Sequence, residues 1–207
     1  MWENCHDYEN YTKMTTTQQK TSGTWIATYS AKQFFPLAPR QEDIDIVDIA
    51  HSLALQCRFT GHCMEFYSVA EHSVRASYLV PSEHALWALL HDATEAYLTD
   101  MSRPIKQNTS LGEEYRKIEK NLMAAICQKF GLSTEEPPQV KIADNIMLMT
   151  EKRDLLRNNL AHPKWNETAE PVREYIHPMD WRRAKARFLE RYRELTSAGN
   201  TETSKNS

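Results

Sequence analysis

Glycine is scarce in this sequence, with 5 residues among 207, about a third of average usage. This scarcity argues against glycine-rich β-sandwiches and against phosphate loops built on glycine. The GxGxxG, GxxxxGK[ST] and GxSxG motifs do not occur. Dinucleotide-binding proteins, P-loop NTPases and serine hydrolases therefore have no support in the sequence.

Long apolar runs and paired cysteines are also missing. No stretch approaches the ~18 apolar residues of a transmembrane helix, and the first residues, MWENCHDYENYTK, are too polar and acidic for a signal peptide. The 4 cysteines form no CxxC pair. We therefore predict a cytoplasmic protein with reduced thiols and without membrane association.

The charges are nearly balanced, with 25 basic and 28 acidic side chains and a net charge of −3. This balance gives no general attraction for nucleic acid or anionic membranes. Arginines at 182–193 alternate with glutamates and an apolar stripe, which favours a solvated amphipathic helix over a nucleic-acid site. Hydrophobic residues make up 41% and charged residues 26%, as in ordinary globular domains.

The length suits one domain of roughly 100–200 residues with tails. Polar composition predicts disordered tails at residues 1–22 and 197–207 around a domain at 23–196, and Met14 is an alternative start. Apolar spacing predicts an all-α bundle of about five to seven helices. The predicted helices cover residues 44–56, 67–79, 83–97, 111–130, 137–158 and 180–196, and residues 24–35 could form a short strand or hairpin.

The pair His91-Asp92 lies at the end of the apolar run ALWALL. An aspartate in a buried helix needs a partner, and a core His–Asp hydrogen bond or a metal ion would each supply one. Three further residues favour the metal. His72 lies in the preceding helix, Asp144 interrupts a later apolar helix, and Glu95 follows His91 by four residues.

Two imidazoles and two carboxylates from three helices can surround one divalent ion. This donor set suits one transition metal, Mn, Co, Fe, Ni or Zn, better than Ca or Mg. Cys57, His62 and Cys63 do not have the spacing of a zinc finger. The sequence therefore predicts a single metal centre in the helical domain.

The order His…His-Asp…Asp resembles the HD superfamily of metal-dependent phosphohydrolases. The matching segments are CRF, SVAEHS, LLHDATEAYLTDMSRPIK and VKIADN, between Cys57 and Asp154. The sequence of these segments is most similar to short bacterial and phage HD proteins that hydrolyse deoxynucleotides. The resemblance implies an HD-domain helical bundle with His72, His91, Asp92 and Asp144 as metal ligands.

The resemblance also implies catalytic and substrate-binding roles. Glu95 would orient or deprotonate the attacking water, and Asp100 would hold water or protonate the leaving oxygen. Arg58 would bind phosphate, and Phe59, where the family usually has Trp, would pack on the sugar or base. The remaining candidates for substrate contact are Lys106 and Lys141, which match phosphate-reaching lysines of phage members, and His62, which could line the entrance. Each of these three could instead be ordinary surface.

Within the superfamily, the guanosine tetraphosphate hydrolases carry a second acid that HDATEA lacks, and the cyclic-di-nucleotide phosphodiesterases carry a GYP element that does not occur here. The large dGTPase-like triphosphohydrolases are roughly twice as long as this chain. The short nucleotidases remain. We predict a 5′-nucleotidase that releases phosphate from dNMP by attack of a metal-bound water. Two alternatives stay open: a dATP-type dNTP triphosphohydrolase, and a non-catalytic helical binding or regulatory module with a structural metal. The expected partners are a small nucleotide and further copies of the chain, as a homo-oligomer of two or more subunits.

Overall fold

A computed structural model describes residues 24–157 and 169–202. The predicted all-α bundle is confirmed, because the chain is mainly helical with one small two-stranded sheet. The described elements are β1 (Ile26–Ala27), β2 (Gln33–Phe34), α1 (Ile46–Leu55), α2 (Val69–Ala76), α3 (Ala85–Leu90), α4 (Glu95–Leu98), α5 (Arg103–Asn108), α6 (Ser110–Phe130), α7 (Pro138–Leu155) and α8 (Trp181–Glu202).

Side-chain caps start several helices. Asp45 accepts a hydrogen bond from the amide of Val47 at the start of α1, and Ser68 accepts one from Glu71 in α2. Thr109 does the same for Gly112 in α6. Each cap satisfies an amide that has no partner within the helix. The predicted stop at Gly131 is confirmed, since this residue has φ 68°.

The predicted continuous helix over 83–97 is wrong. It is divided into α3 and α4 by a turn at residues 91–94. The amides of Ala93 and Glu95 donate to residues three positions earlier, Leu90 and Asp92, so the chain tightens there. His91 Nδ1 donates a hydrogen bond to the carbonyl of Ala88, near the C-terminal end of α3. His91 and Asp92 thus lie at a helix end instead of inside a helix.

The core lies where α1, α2 and α3 pack on α8. Fully buried apolar side chains fill it, among them Ile49, Leu53, Ala70, Leu89 and Phe188. The helix α7 packs against α2 and α3 on another side. These contacts bring residues from α2, the turn after α3, and α7 to one place.

The predicted hairpin is confirmed as β1 and β2, which pair antiparallel with Ile26 opposite Phe34. Asp48 of α1 stabilises the turn of the hairpin. The two carboxylate oxygens of Asp48 accept hydrogen bonds from the amide and the hydroxyl of Ser30, at 2.7 Å each. Phe34 stacks on Tyr97 with ring centroids 4.0 Å apart. The hairpin is thus fixed to the helical bundle.

Helix ends differ from the predictions by a few residues, and α8 continues to Glu202, beyond the predicted end at Thr196. The short helix α5 was not predicted. The predicted tail at residues 1–22 and the last five residues of the predicted C-terminal tail lie outside the described part of the chain. Within that part, no helix is long and apolar enough to span a membrane.

Candidate metal centre

The four predicted metal ligands come together between α2, α7 and the turn after α3. His72 Nε2 lies 3.2 Å from His91 Nε2 and 3.5 Å from Asp144 Oδ1. Asp92 Oδ2 lies 3.2 Å from His91 Nε2 and 3.7 Å from His72 Nε2. His72, His91 and Asp92 therefore form a group that could hold a metal ion, and Asp144 lies beside it.

The second nitrogen of each imidazole fixes its tautomer. His91 Nδ1 lies 2.7 Å from the Ala88 carbonyl, which can only accept, so this nitrogen carries the proton. His72 Nδ1 lies 2.6 Å from Glu151 Oε1 and donates to that carboxylate. In the neutral rings both Nε2 atoms then present lone pairs to each other across 3.2 Å. A proton on one ring or a metal ion between the two nitrogens would relieve this repulsion, and a metal ion is the fit expected of histidines whose other nitrogen is held by an oxygen.

The charges of the centre reinforce one another. Burial opposes the charged form of His91, but the Asp92 and Asp144 carboxylates outweigh it and raise the pKa of His91 to about 9. Burial likewise opposes the charged form of Asp92, yet His91 and His72 hold the pKa of Asp92 well below its usual range. The pKa of Asp144 is lowered in the same way by His72 and His91. The centre therefore keeps its carboxylates ionised and attracts a cation.

Glu151 is a site residue that the sequence reasoning missed. It is fully buried on α7, and its two oxygens accept from His72 Nδ1 at 2.6 Å and from Arg58 Nε at 2.9 Å. Burial opposes its charged form, but Arg58 and His72 lower the pKa of Glu151. Its position two helical turns after Asp144, on the same face of α7, is the signal that could have identified it.

Arg58 lies beside the predicted ligands, as expected. Its Nη1 is 3.5 Å from Asp92 Oδ2, and its guanidinium carbon is 5.5 Å from the centre of the Phe59 ring. Phe59 and Thr60 have φ of 55° and 54°, which L residues with side chains seldom adopt.

Glu95, at the start of α4, is buried, and its Oε2 has no hydrogen-bond partner in the described part of the chain. Burial and the negative charges of Asp92 and Asp100 raise the pKa of Glu95 well above its usual value. Asp100 is more exposed and follows Thr99, whose φ is 61°. Burial and Asp92 also raise the pKa of Asp100. The predicted pair of acids therefore lies within electrostatic reach of the metal centre.

The two lysines are each paired with a carboxylate. Lys141 Nζ lies 2.7 Å from Asp144 Oδ2, so it is adjacent to a predicted ligand. Lys106 Nζ lies 2.7 Å from Glu119 Oε1 and lowers the pKa of Asp100 by its charge, although burial and Asp92 prevail. His62 is exposed. Its predicted role at the entrance stays a prediction.

No protein-family model matches the chain. The uncharacterised protein YfdR of Escherichia coli strain K12 is 48% identical over 131 residues, which is 63% of this chain and 72% of YfdR. An uncharacterised protein of Rhodobacter capsulatus is 38% identical over 128 residues, 58% of this chain and 64% of that protein. Neither name states an activity.

The fold and the site define an all-helical protein with a His/Asp group that could hold a metal ion. By its identity to YfdR and the share of YfdR that it covers, the chain belongs to the same family as YfdR. The nucleotide partner and the homo-oligomer stay predictions.

Proposed function

We propose that the protein is a metal-dependent phosphohydrolase of the HD type that releases phosphate from deoxynucleoside monophosphates. The observation that carries this proposal is the convergence of His72 Nε2, His91 Nε2 and Asp92 Oδ2 within electrostatic reach of Glu95, a buried acid whose Oε2 has no hydrogen-bond partner among the described residues. A purely structural metal site has no use for an additional buried acid without a hydrogen bond. The order of the residues, which resembles the HD superfamily, supports the same function.

The ligands suit a transition metal, with Mn, Co, Fe, Ni and Zn preferred over Mg. A divalent cation, when bound, lowers the pKa of water and polarises a phosphoryl oxygen. The chain's own residues supply the rest of the reaction. With the positive charge of the metal nearby, Glu95 would be ionised despite its burial and would accept the proton of the attacking water while the new bond from oxygen to phosphorus forms. As the bond from phosphorus to the 5′-oxygen breaks, Asp100 donates a proton to that oxygen.

Arg58 is the cation best placed for the substrate phosphate. Its Nε is fixed by Glu151, so its outer nitrogens remain oriented toward the metal centre. A guanidinium can bind phosphate through two nitrogens at once. Phe59 is the neighbouring aromatic surface for the sugar or base.

The balance of charge favours a monophosphate over a triphosphate. Within the described residues, the predicted phosphate-binding cations Arg58, Lys106 and Lys141 each have a carboxylate partner. Asp92, Glu95 and Asp100 add further negative charge to the same region. Because a triphosphate brings more negative charge than a monophosphate, it would meet greater repulsion here.

The test is release of phosphate or triphosphate from dNMPs, NMPs and dNTPs by metal-stripped protein supplied with Mn, Co, Mg or Zn. Phosphate from dNMPs supports the proposal. Intact triphosphate from a dNTP would establish the dATP-type alternative instead. Tight metal binding without release from any substrate would favour the non-catalytic module.

A further inference from the structure

Glu151 joins two parts of the site that lie far apart in the sequence. One oxygen accepts from His72, 79 residues away, and the other from Arg58, 93 residues away. The side chain is fully buried. Because each oxygen has its own donor, the carboxylate cannot rotate without losing a charge-assisted hydrogen bond.

Arg58 has a second carboxylate partner, Asp92, which is also a predicted metal ligand. Its Nη1 faces Asp92 Oδ2 at 3.5 Å, and the same oxygen faces His91 Nε2 at 3.2 Å. Asp92 Oδ2 could serve either a bound cation or Arg58. With Oδ2 given to a cation, the outer nitrogens of Arg58 would be available to an anion, while Nε would stay on Glu151.

We propose that Glu151 is a positioning residue that makes metal binding and phosphate binding interdependent. It keeps His72 in the tautomer that presents Nε2 to the metal, and it holds Arg58 at the edge of the metal centre. Without Glu151, Arg58 would be free to move onto Asp92 and Asp144 and to oppose the metal. The inference deepens the proposed function, since it assigns Arg58 to the phosphate of that same site.

The test is a cycle of variants measured by binding, with inorganic phosphate and Mn²⁺ as the probes. The proteins are the full chain, Glu151→Gln, Arg58→Gln and the double variant, and isothermal calorimetry gives both affinities. Mn²⁺ and phosphate should strengthen each other's binding by the same factor in the unaltered chain. Glu151→Gln should weaken Mn²⁺ binding by about 10- to 100-fold and reduce the mutual strengthening.

The cycle separates the two contacts of Glu151. In the Arg58→Gln background, Glu151→Gln should no longer change phosphate affinity, but it should still weaken Mn²⁺ binding through His72. The proposal would be overturned if Glu151→Gln changed phosphate affinity equally in the unaltered and the Arg58→Gln backgrounds. Unchanged affinities for both probes in Glu151→Gln would overturn it as well.

A readout independent of metal comes from nitrogen NMR of the imidazoles in the metal-stripped chain. His72 should be protonated on Nδ1 in the unaltered protein and should lose this preference in Glu151→Gln. An unchanged tautomer would contradict the positioning role. If Glu151→Gln does not fold, Glu151→Asp keeps the charge but withdraws the carboxylate by one methylene, and the same losses are expected.

Glu71→Gln is the matched control for removing a buried carboxylate. Glu71 is also fully buried on α2, but its oxygens accept from Arg75 and from the amide of Met179. This variant should lose stability without reducing the mutual strengthening of Mn²⁺ and phosphate. None of these measurements uses turnover. If the variants change Mn²⁺ and phosphate affinity as expected but the protein hydrolyses no nucleotide, the role of Glu151 is retained and the proposed function is rejected. If the protein hydrolyses nucleotides but the affinities do not change as expected, the proposed function is retained and the role of Glu151 is rejected.

Discussion

His72 and His91 face each other through their Nε2 atoms at 3.2 Å, while the Nδ1 atom of each is committed to an oxygen elsewhere. The contact joins α2 to the turn after α3, and the two histidines are 19 residues apart in the sequence. Together with Asp92, the two Nε2 atoms form a group that could hold a metal ion.

Replacing Glu95 by Gln should abolish turnover while leaving the fold and the metal in place. The amide cannot accept the proton of water, so the rate should fall by about 10²- to 10⁴-fold. The measurement is dNMP hydrolysis together with metal content and the circular dichroism spectrum. Glu190→Gln, on the exposed face of α8, is the control and should keep full activity. Full activity in Glu95→Gln would contradict the assigned role.

Adding metal to the stripped protein should stabilise it. At a free metal concentration 100 times Kd, the gain in the free energy of unfolding is about 2.7 kcal/mol. Asp92→Asn removes a charged ligand and should greatly reduce this gain. The comparison is thermal unfolding with and without Mn²⁺. The same stabilisation in Asp92→Asn as in the unaltered chain would show that the metal binds elsewhere.

Gly112→Ala should destabilise the contact between α5 and α6. A Cβ at this position would lie 2.3 Å from the carbonyl oxygen of Lys106, which is backbone and cannot move alone. Overpacking of this kind costs about 1–3 kcal/mol. Urea unfolding measures the loss. Gly61→Ala provides a contrast, since space is open there and only its φ of 80° opposes the substitution. An unchanged midpoint for Gly112→Ala would refute the close approach.

Asp154→Asn should lower stability at neutral pH but not in acid. The buried Asp154 carboxylate accepts from Arg153 Nε at 2.6 Å and from the amide of Ile176 at 2.8 Å. Burial opposes the charge, but these partners lower the pKa of Asp154 below 3.8.

A carboxylate with a depressed pKa stabilises the fold above its unfolded pKa, and this contribution disappears as the pH falls through the folded value. The variant should therefore be less stable by about 2 kcal/mol at pH 7. The difference should shrink below about pH 4. Unfolding curves across this range measure it, and a difference independent of pH would contradict the ionised role of Asp154.

Local signals in the sequence predicted most of the fold. The apolar spacing of α1, α2, α6 and α7, the stop at Gly131 and the prolines before α7 were sufficient to place these helices within a few residues. The helix over 83–97 was predicted wrongly. The spacing of apolar residues shows which side of a segment is buried. It does not show that backbone hydrogen bonds at His91–Thr94 span three residues instead of the four of an α-helix.

The sequence by itself singled out His72, His91, Asp92 and Asp144 as candidate metal ligands, because an ionisable residue in an apolar helix must have a partner and their order resembles the HD superfamily. Tertiary structure alone decided how they are held. Glu151 meets His72 and Arg58 only because α7 packs beside α2. Hydrogen bonds across 79 and 93 residues leave no periodic signal in the chain, since they depend on the packing of whole helices.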